Sequence, residues 1–277
     1  MAGVIGSACP WSARERPETT TTGVVWASTT TTTVAGVGES STTTTTRPAA
    51  RTTTTRRRPA SPIPEGGLEF VRVPGDAKVV ALTFDAAYDP APLGEILRVL
   101  DVEGVPATFF LTGEFIEDFP AEVAAIAEAG HPIGSHAYSH PDFTKISDAE
   151  LRDQLERTAA LLRATRAGDP RPLFRFPYGA RDRATLALVG EEGYVSVYWT
   201  IDTLDWKAER TAAQISDTVL SKAAPGAIVL MHVGGKNTAA ALSEIIPGLR
   251  AAGFGFVELG SAIGAATAGP TATEASG

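Results

Sequence analysis

Asp85 closes the apolar run Val79-Val80-Ala81-Leu82-Thr83-Phe84, and His136 and His140 stand four residues apart in Ser135-His136-Ala137-Tyr138-Ser139-His140. The two are half of the four histidines in the chain; on one helical turn such a pair faces the same way and can share a metal ion. The spacing alone is a weak signal, because two hydrogen-bonded surface histidines share it. The remaining titratable groups make it informative. Arg175 sits in Phe174-Arg175-Phe176-Pro177-Tyr178, Asp202 and Asp205 follow Tyr198-Trp199-Thr200-Ile201, and His232 ends Ile228-Val229-Leu230-Met231. Each lies at or near the end of an apolar run, where a strand delivers a polar group to an open face.

Each residue also has an ordinary structural explanation. An aspartate at a strand end most often caps a turn, which serves for Asp85 alone and is the expectation for Asp202. Arg175 could neutralise a carboxylate at a sheet end, Trp206 could simply pack, and His232 could be a hydrogen-bonded core histidine. His131, in Gly130-His131-Pro132, opens a strand at the end opposite the chemistry and is expected to be structural.

The elements that must position these groups alternate. Strands are predicted over Val79–Phe84, Ala107–Leu111, His131–Ser135, Leu173–Phe176, Val195–Ile201, Ala227–Met231 and Phe254–Leu259. Between them Leu93, Ile96, Leu97 and Leu100 share one helical face, as do Val123, Ile126 and Ala127. Ser147 with Glu150 three residues on reads as a capping box opening a helix that carries Leu151, Leu155, Leu161 and Leu162. Later helices are predicted over Arg183–Glu192, Ala212–Ala223 and Ala239–Ala252, with Gly130, Gly193 and Gly253 at C-cap positions. Strands alternating with helices imply an α/β fold with a parallel sheet covered on both faces. An open doubly wound sheet and a closed barrel both fit; polar groups at the C-terminal ends of at least five strands converge on one mouth only if the sheet closes, which favours the barrel. Neither a G-x-G-x-x-G nor a Walker A pattern supports nucleotide binding.

Composition divides the chain. Residues 1–62 are dominated by the threonine runs 29–33, 42–46 and 52–55 with interspersed Pro, Gly and Arg, and are expected to be a disordered tail or linker with nothing to bury. They hold seven arginines against three glutamates, net +4, which leaves −12 of the chain's −8 on residues 63–277, the expected folded domain. So acidic a domain argues against nucleic acid as partner, and Arg56-Arg57-Arg58 reads as solvated linker. Cys9 is the single cysteine, so no intrachain disulfide forms. No secretory signal is legible at Met1 and no run reaches the ~20 apolar residues of a membrane span.

Taken in order, the residues resemble the polysaccharide deacetylase family, the NodB-type carbohydrate esterases of family 4, over roughly residues 75–262. Thr83-Phe84-Asp85-Ala86-Ala87 resembles its T-F-D-D-G motif, His136–His140 its H-S/T-x-x-H, Arg175-Phe176-Pro177-Tyr178-Gly179 its R-x-P-Y/F-G, Asp202-Thr203-Leu204-Asp205-Trp206 its fourth motif and Leu230-Met231-His232 its L-x-H. The resemblance implies a distorted (β/α)7 barrel and a hydrolase that removes N-acetyl groups from an amino-sugar polymer, peptidoglycan or a chitin-like glycan. By the same resemblance Asp85 is the general base, His232 the general acid, Arg175 the tether of Asp85 and Asp205 the partner of His232. Tyr178 supplies a backbone N–H to the oxyanion, Trp206 and Leu230 receive the acetyl methyl, and His136 and His140 hold a divalent metal, zinc or else cobalt. The implied place of work is outside the cell or at its envelope.

Ala86 departs from the pattern: it stands where the family has the aspartate that joins the histidines on the metal, and a methyl group binds no cation. An additional water or another oxygen, with Asp89 nearest in sequence, could replace it; Asp85 could lean on the metal; or the site could be a carbohydrate-binding relic. The survival of Asp85, His232, Arg175 and both histidines favours retained activity. An O-acetyl esterase acting on a polysaccharide such as xylan is the alternative within enzymes, since the same water attack suits an ester.

Overall fold

The computed structural model describes residues 67–267 of the chain; the tail expected over 1–62 lies outside them. The strands are β1 (Glu69–Phe70), β2 (Val79–Ala86), β3 (Ala107–Leu111), β4 (Ile133–Ser135), β5 (Leu173–Phe174), β6 (Val195–Val197), β7 (Ile201–Asp202), β8 (Ala227–His232) and β9 (Gly255–Phe256). The helices are α1 (Leu93–Glu103), α2 (Gly113–Asp118), α3 (Pro120–Glu128), α4 (Asp148–Arg163), α5 (Arg183–Glu191), α6 (Ala212–Lys222), α7 (Thr238–Ala251) and α8 (Leu259–Thr267), with short 3-10 turns at Phe143–Lys145 and Pro177–Gly179.

All strand ladders are parallel, in the order β1-β6-β5-β4-β3-β2-β8-β7, with β9 added on β2. The sheet curls with helices outside it, as the distorted barrel predicts. It closes incompletely. The expected strand Val195–Ile201 is two strands with different neighbours, β6 between β1 and β5 and β7 beside β8, although only residues 198–200 separate them, and the open seam falls between β1 and β7. Below this seam Arg72 and Ala227 form an antiparallel bridge, and the Val73 amide donates to Gly226 O at 2.8 Å.

Two layers of core follow from strand alternation. On β2, Val80, Leu82, Phe84 and Ala86 belong to the outer core that helices α1, α3, α6 and α7 cover. Ala81 faces inward with Phe110, Leu173, Val195, Val197 and Ile228, and Leu259 and Ile263 of α8 join that inner cluster. Burial on both faces is why these strands read as unbroken apolar runs. A third cluster, Phe143, Phe174, Phe176 and Tyr194 with Leu151 and Leu155, packs α4 against the sheet.

The local signals mostly hold. Ser147 Oγ accepts from the Glu150 amide at 3.3 Å, while full capping boxes occur at Asp182/Thr185 and Thr211/Gln214. Gly130, Gly193 and Gly253 are left-handed, with φ of 79°, 83° and 79°. No described helix is long and apolar enough to cross a membrane.

Candidate active site

The mouth is built on β2. Thr83 and Asp85 share the inward face of Ala81, and Asp85 is the register partner of His232 on the neighbouring β8. Parallel ladders hold such partners ~4.8 Å apart, so the carboxyl and the imidazole are placed side by side without any loop to position them. The Val233 amide donates to Asp85 O at 2.9 Å, fixing the chain just past His232.

Arg175 reaches this pair from the segment after β5 and is fully buried. Its Nη1 donates to Asp85 Oδ1 at 2.8 Å and to Thr83 Oγ1 at 2.9 Å; its Nε donates to Val197 O at 3.1 Å and its Nη2 to Tyr198 O at 3.4 Å. The guanidinium lies 4.2 Å from the centre of the Phe110 ring. A buried guanidinium with five donors needs such a set of acceptors. Burial alone would raise the Asp85 pKa; the charges of Arg175, His136 and His232, with the Arg175 hydrogen bond, outweigh it and hold the carboxyl below its usual value.

His232 is set in the opposite sense. Its Nδ1–H donates to Asp205 Oδ1 at 2.8 Å, its backbone N–H to Asp205 Oδ2 at 2.8 Å, and Thr238 Oγ1–H to the same oxygen at 2.6 Å. Asp205 is buried, and although burial opposes its charge, His232 and these three donors keep its pKa below the ordinary value. For His232, burial opposes the protonated ring, but Asp205 first, then Asp85 and Asp202, raise its pKa above the usual imidazole value. A carboxylate pushed down beside an imidazole pushed up is the pattern of a base and an acid poised together.

His136 and His140 meet differently from the sequence expectation. They do not lie on a helical turn: the segment is irregular, with Ala137 at φ 67° and His140 at φ 60°. Left-handed backbone costs an L-residue about 1–2 kcal/mol, so the loop is held by its surroundings. Their Nε2 atoms are 3.1 Å apart, and His136 Nε2 is 3.5 Å from Asp85 Oδ2. Burial lowers the pKa of His136, and burial together with the neighbouring His136 takes that of His140 to about 3.

The residues fit a metal at two positions. His136 Nδ1 bonds Arg175 O at 2.8 Å, which assigns its proton there and turns the Nε2 lone pair toward His140, as second-shell contacts do for metal-bound histidine. His140 Nδ1 is buried with no hydrogen-bond partner. Ala86, where the resemblance expects a third ligand, is buried in the outer core, and no group of three or more potential ligands occurs among the described residues. Asp89 is exposed and its Oδ1 accepts from the Ala91 amide at 2.9 Å, a turn cap in place of the substitute ligand considered from sequence.

The other expected residues surround the mouth. Tyr178 is half-exposed, left-handed at φ 58°, and its ring meets His140 edge-on at 4.5 Å between centroids. Gly179 follows at φ 63° against Trp199 and Tyr198; a Cβ there would come within 2.7 Å of Trp199 Cη2. Leu230 is buried and pairs with Thr83 and Asp202 in register. Trp206 follows Asp205, half-buried, with Lys207 Nζ 5.3 Å from its ring centre. Asp202 caps the Leu204 amide at 2.9 Å as expected, and burial raises its pKa. His131 stays structural, its ring 5.4 Å from that of Phe109. Sequence reasoning missed Thr83, Thr238 and Gln154; only Gln154 left a trace, as a polar residue within the apolar stripe of α4.

Comparison with known proteins agrees with this geometry. Residues 72–197 match the family model described as polysaccharide deacetylase. The peptidoglycan-N-acetylglucosamine deacetylase of Bacillus cereus is 40% identical over 186 residues, 66% of this chain and 67% of the relative. The crystal structure of the Bc1960 peptidoglycan N-acetylglucosamine deacetylase is 38% identical with a TM-score of 0.66, covering 70% of this chain and 91% of that one. The wild-type structure of BA3943, a family 4 pseudoenzyme from Bacillus anthracis, is 31% identical with a TM-score of 0.66 over 70% of this chain and 68% of that one. A mutant of BA3943 with restored enzymatic activity is 31% identical too, with a TM-score of 0.67 over 70% of this chain and 71% of that one. By its sequence identity to these relatives and its likeness to their structures, the chain belongs to the polysaccharide deacetylase family, carbohydrate esterase family 4.

Proposed function

We propose that the protein is a metal-dependent hydrolase that removes N-acetyl groups from the amino sugars of peptidoglycan, acting at the cell envelope. The observation that carries this reading is the side-by-side placement of an Asp85 carboxyl held below its usual pKa and a His232 imidazole held above its own. Asp85 takes the proton of the attacking water, and Arg175 keeps the carboxylate ionised and aimed. The Tyr178 N–H donates to the oxyanion that forms at the acetyl carbonyl. His232, held protonated by Asp205, gives its proton to the departing amine. Leu230 and Trp206 receive the methyl. His136 and His140 would hold the metal, zinc by the preference of paired imidazoles, which when bound polarises the carbonyl and acidifies water. Relatives named for peptidoglycan deacetylation support the substrate.

Ala86 and the likeness to a pseudoenzyme favour one second reading, a glycan-binding protein without turnover. Acetate release from peptidoglycan fragments, acetylated chito-oligosaccharide and acetyl-xylan, with and without zinc or cobalt, separates the two. Metal-stimulated release from the amino-sugar polymers is expected. Release from xylan alone would indicate the esterase, and glycan binding with no release the relic.

A further inference from the structure

The loop from His136 to His140 is held from both sides. Its Tyr138 and Ser139 amides both donate to Oε1 of Gln154, each at 2.8 Å, and Gln154 Nε2 donates to Ser139 Oγ at 3.0 Å. Its Ala137 and Tyr138 carbonyls accept from the Gly113 and Glu114 amides, each at 3.0 Å, at the start of α2. Gly113 permits this approach, since a Cβ there would stand 2.2 Å from Tyr138 Cδ2. Tyr138 is pinned further by its hydroxyl, which donates to Glu117 at 2.6 Å, and by the Arg157 guanidinium 3.4 Å from its ring centre. Gln154 itself is buried, and Thr158 Oγ1 donates to its carbonyl at 3.0 Å from the next turn of α4.

The backbone on either side of those amides is left-handed, at Ala137 and His140. Neither residue is glycine, so nothing in the loop's own preferences produces the shape. Without Gln154 the Tyr138 amide would be buried and unpaired and the Ser139 amide would lose its acceptor, and the loop would relax toward ordinary φ values, carrying the His140 ring away from His136. We propose that Gln154 is a positioning residue whose side chain imposes the loop shape that sets the two Nε2 atoms 3.1 Å apart, so that the nitrogen pair exists before a metal arrives. Its consequence for metal binding rests on the reading that these histidines hold the ion; its consequence for the loop does not.

The test uses the full chain and the variants Gln154→Leu, which keeps bulk without the amide, and Gln154→Glu, which keeps an acceptor for both amides. In metal-free protein the Tyr138 and Ser139 amides should exchange with solvent at least ~10-fold faster in Gln154→Leu, while circular dichroism shows an intact fold. Titration with zinc alone should show at least ~10-fold weaker binding in Gln154→Leu and near-parental binding in Gln154→Glu, a rescue that mere loss of packing would not allow. If Gln154→Leu does not fold, Gln154→Asn, which withdraws the acceptor by one methylene, carries the same comparison. Unchanged exchange at Tyr138 and Ser139 in a folded variant overturns the proposal. A parent protein that binds no zinc would remove the metal reading of the site, and the exchange comparison would still decide the role of Gln154.

Discussion

Asp85 and His232 are register partners on adjacent parallel strands, so the distance between carboxyl and imidazole is set by the sheet itself. Sites built on strands hold their geometry better than sites on loops, and both of these titratable groups have that support.

If that pair transfers the protons, Asp85→Asn and His232→Ala should each lower kcat at least ~100-fold, the lower end of what general acid–base groups contribute. Circular dichroism should show both variants folded. Turnover near that of the parent in either one contradicts the assignment.

The rise in the His232 pKa has Asp205 as its chief source, against burial. Activity should therefore persist above the ordinary imidazole value of 6.5 and fall as pH rises through the raised one. Asp205→Asn removes the favourable charge and leaves the burial, so the upper limb of the kcat/KM profile should move down. The linkage to stability has the same sign: a raised folded-state pKa contributes stability that is complete below 6.5 and lost as pH rises through the folded value. Thermal melts of the parent across that range should show the loss, and melts of Asp205→Asn should not.

Ala86→Asp would place a carboxylate where the resemblance sets a third ligand. Because Ala86 is buried in the outer core, the added charge should destabilise metal-free protein, and the loss should be recovered only with zinc. The expected result is a lower Tm than the parent in chelator, a zinc-dependent rise in Tm, and tighter zinc binding by calorimetry. A variant whose Tm ignores zinc would show that position 86 does not reach the ion.

Much of this was legible because both faces of the strands are buried. Apolar runs marked β2, β3 and β8 closely, and polar residues at their ends marked the mouth. Two things were hidden. The His136–His140 segment reads as a helical pair, yet its shape comes from Gln154 and Gly113, 14 and 23 residues from its nearer ends and brought to it only by folding. The split of Val195–Ile201 was hidden too, because the Val197 and Tyr198 carbonyls go to Arg175, a side chain, where a strand pattern expects a neighbouring backbone. The cap at Ser147 was decidable from sequence because caps are local.

If residues 1–62 take no part in the folded domain, as their threonine-rich composition leads us to expect, deleting them should leave Tm and activity on soluble fragments unchanged. A cooperative loss of structure in the shortened protein would assign the segment a part in the fold.

Arg175 has two employers. The guanidinium that holds Asp85 also takes the Val197 and Tyr198 carbonyls where the chain leaves β6 for β7, so it fastens the segment after β5 to the turn between two strands that pair with different neighbours. Replacing it would unfasten the architecture along with the chemistry. A lineage drifting out of catalysis would thus be free to discard Asp85 or His232 long before this arginine, and its presence in a sequence testifies to an intact barrel more than to a working enzyme.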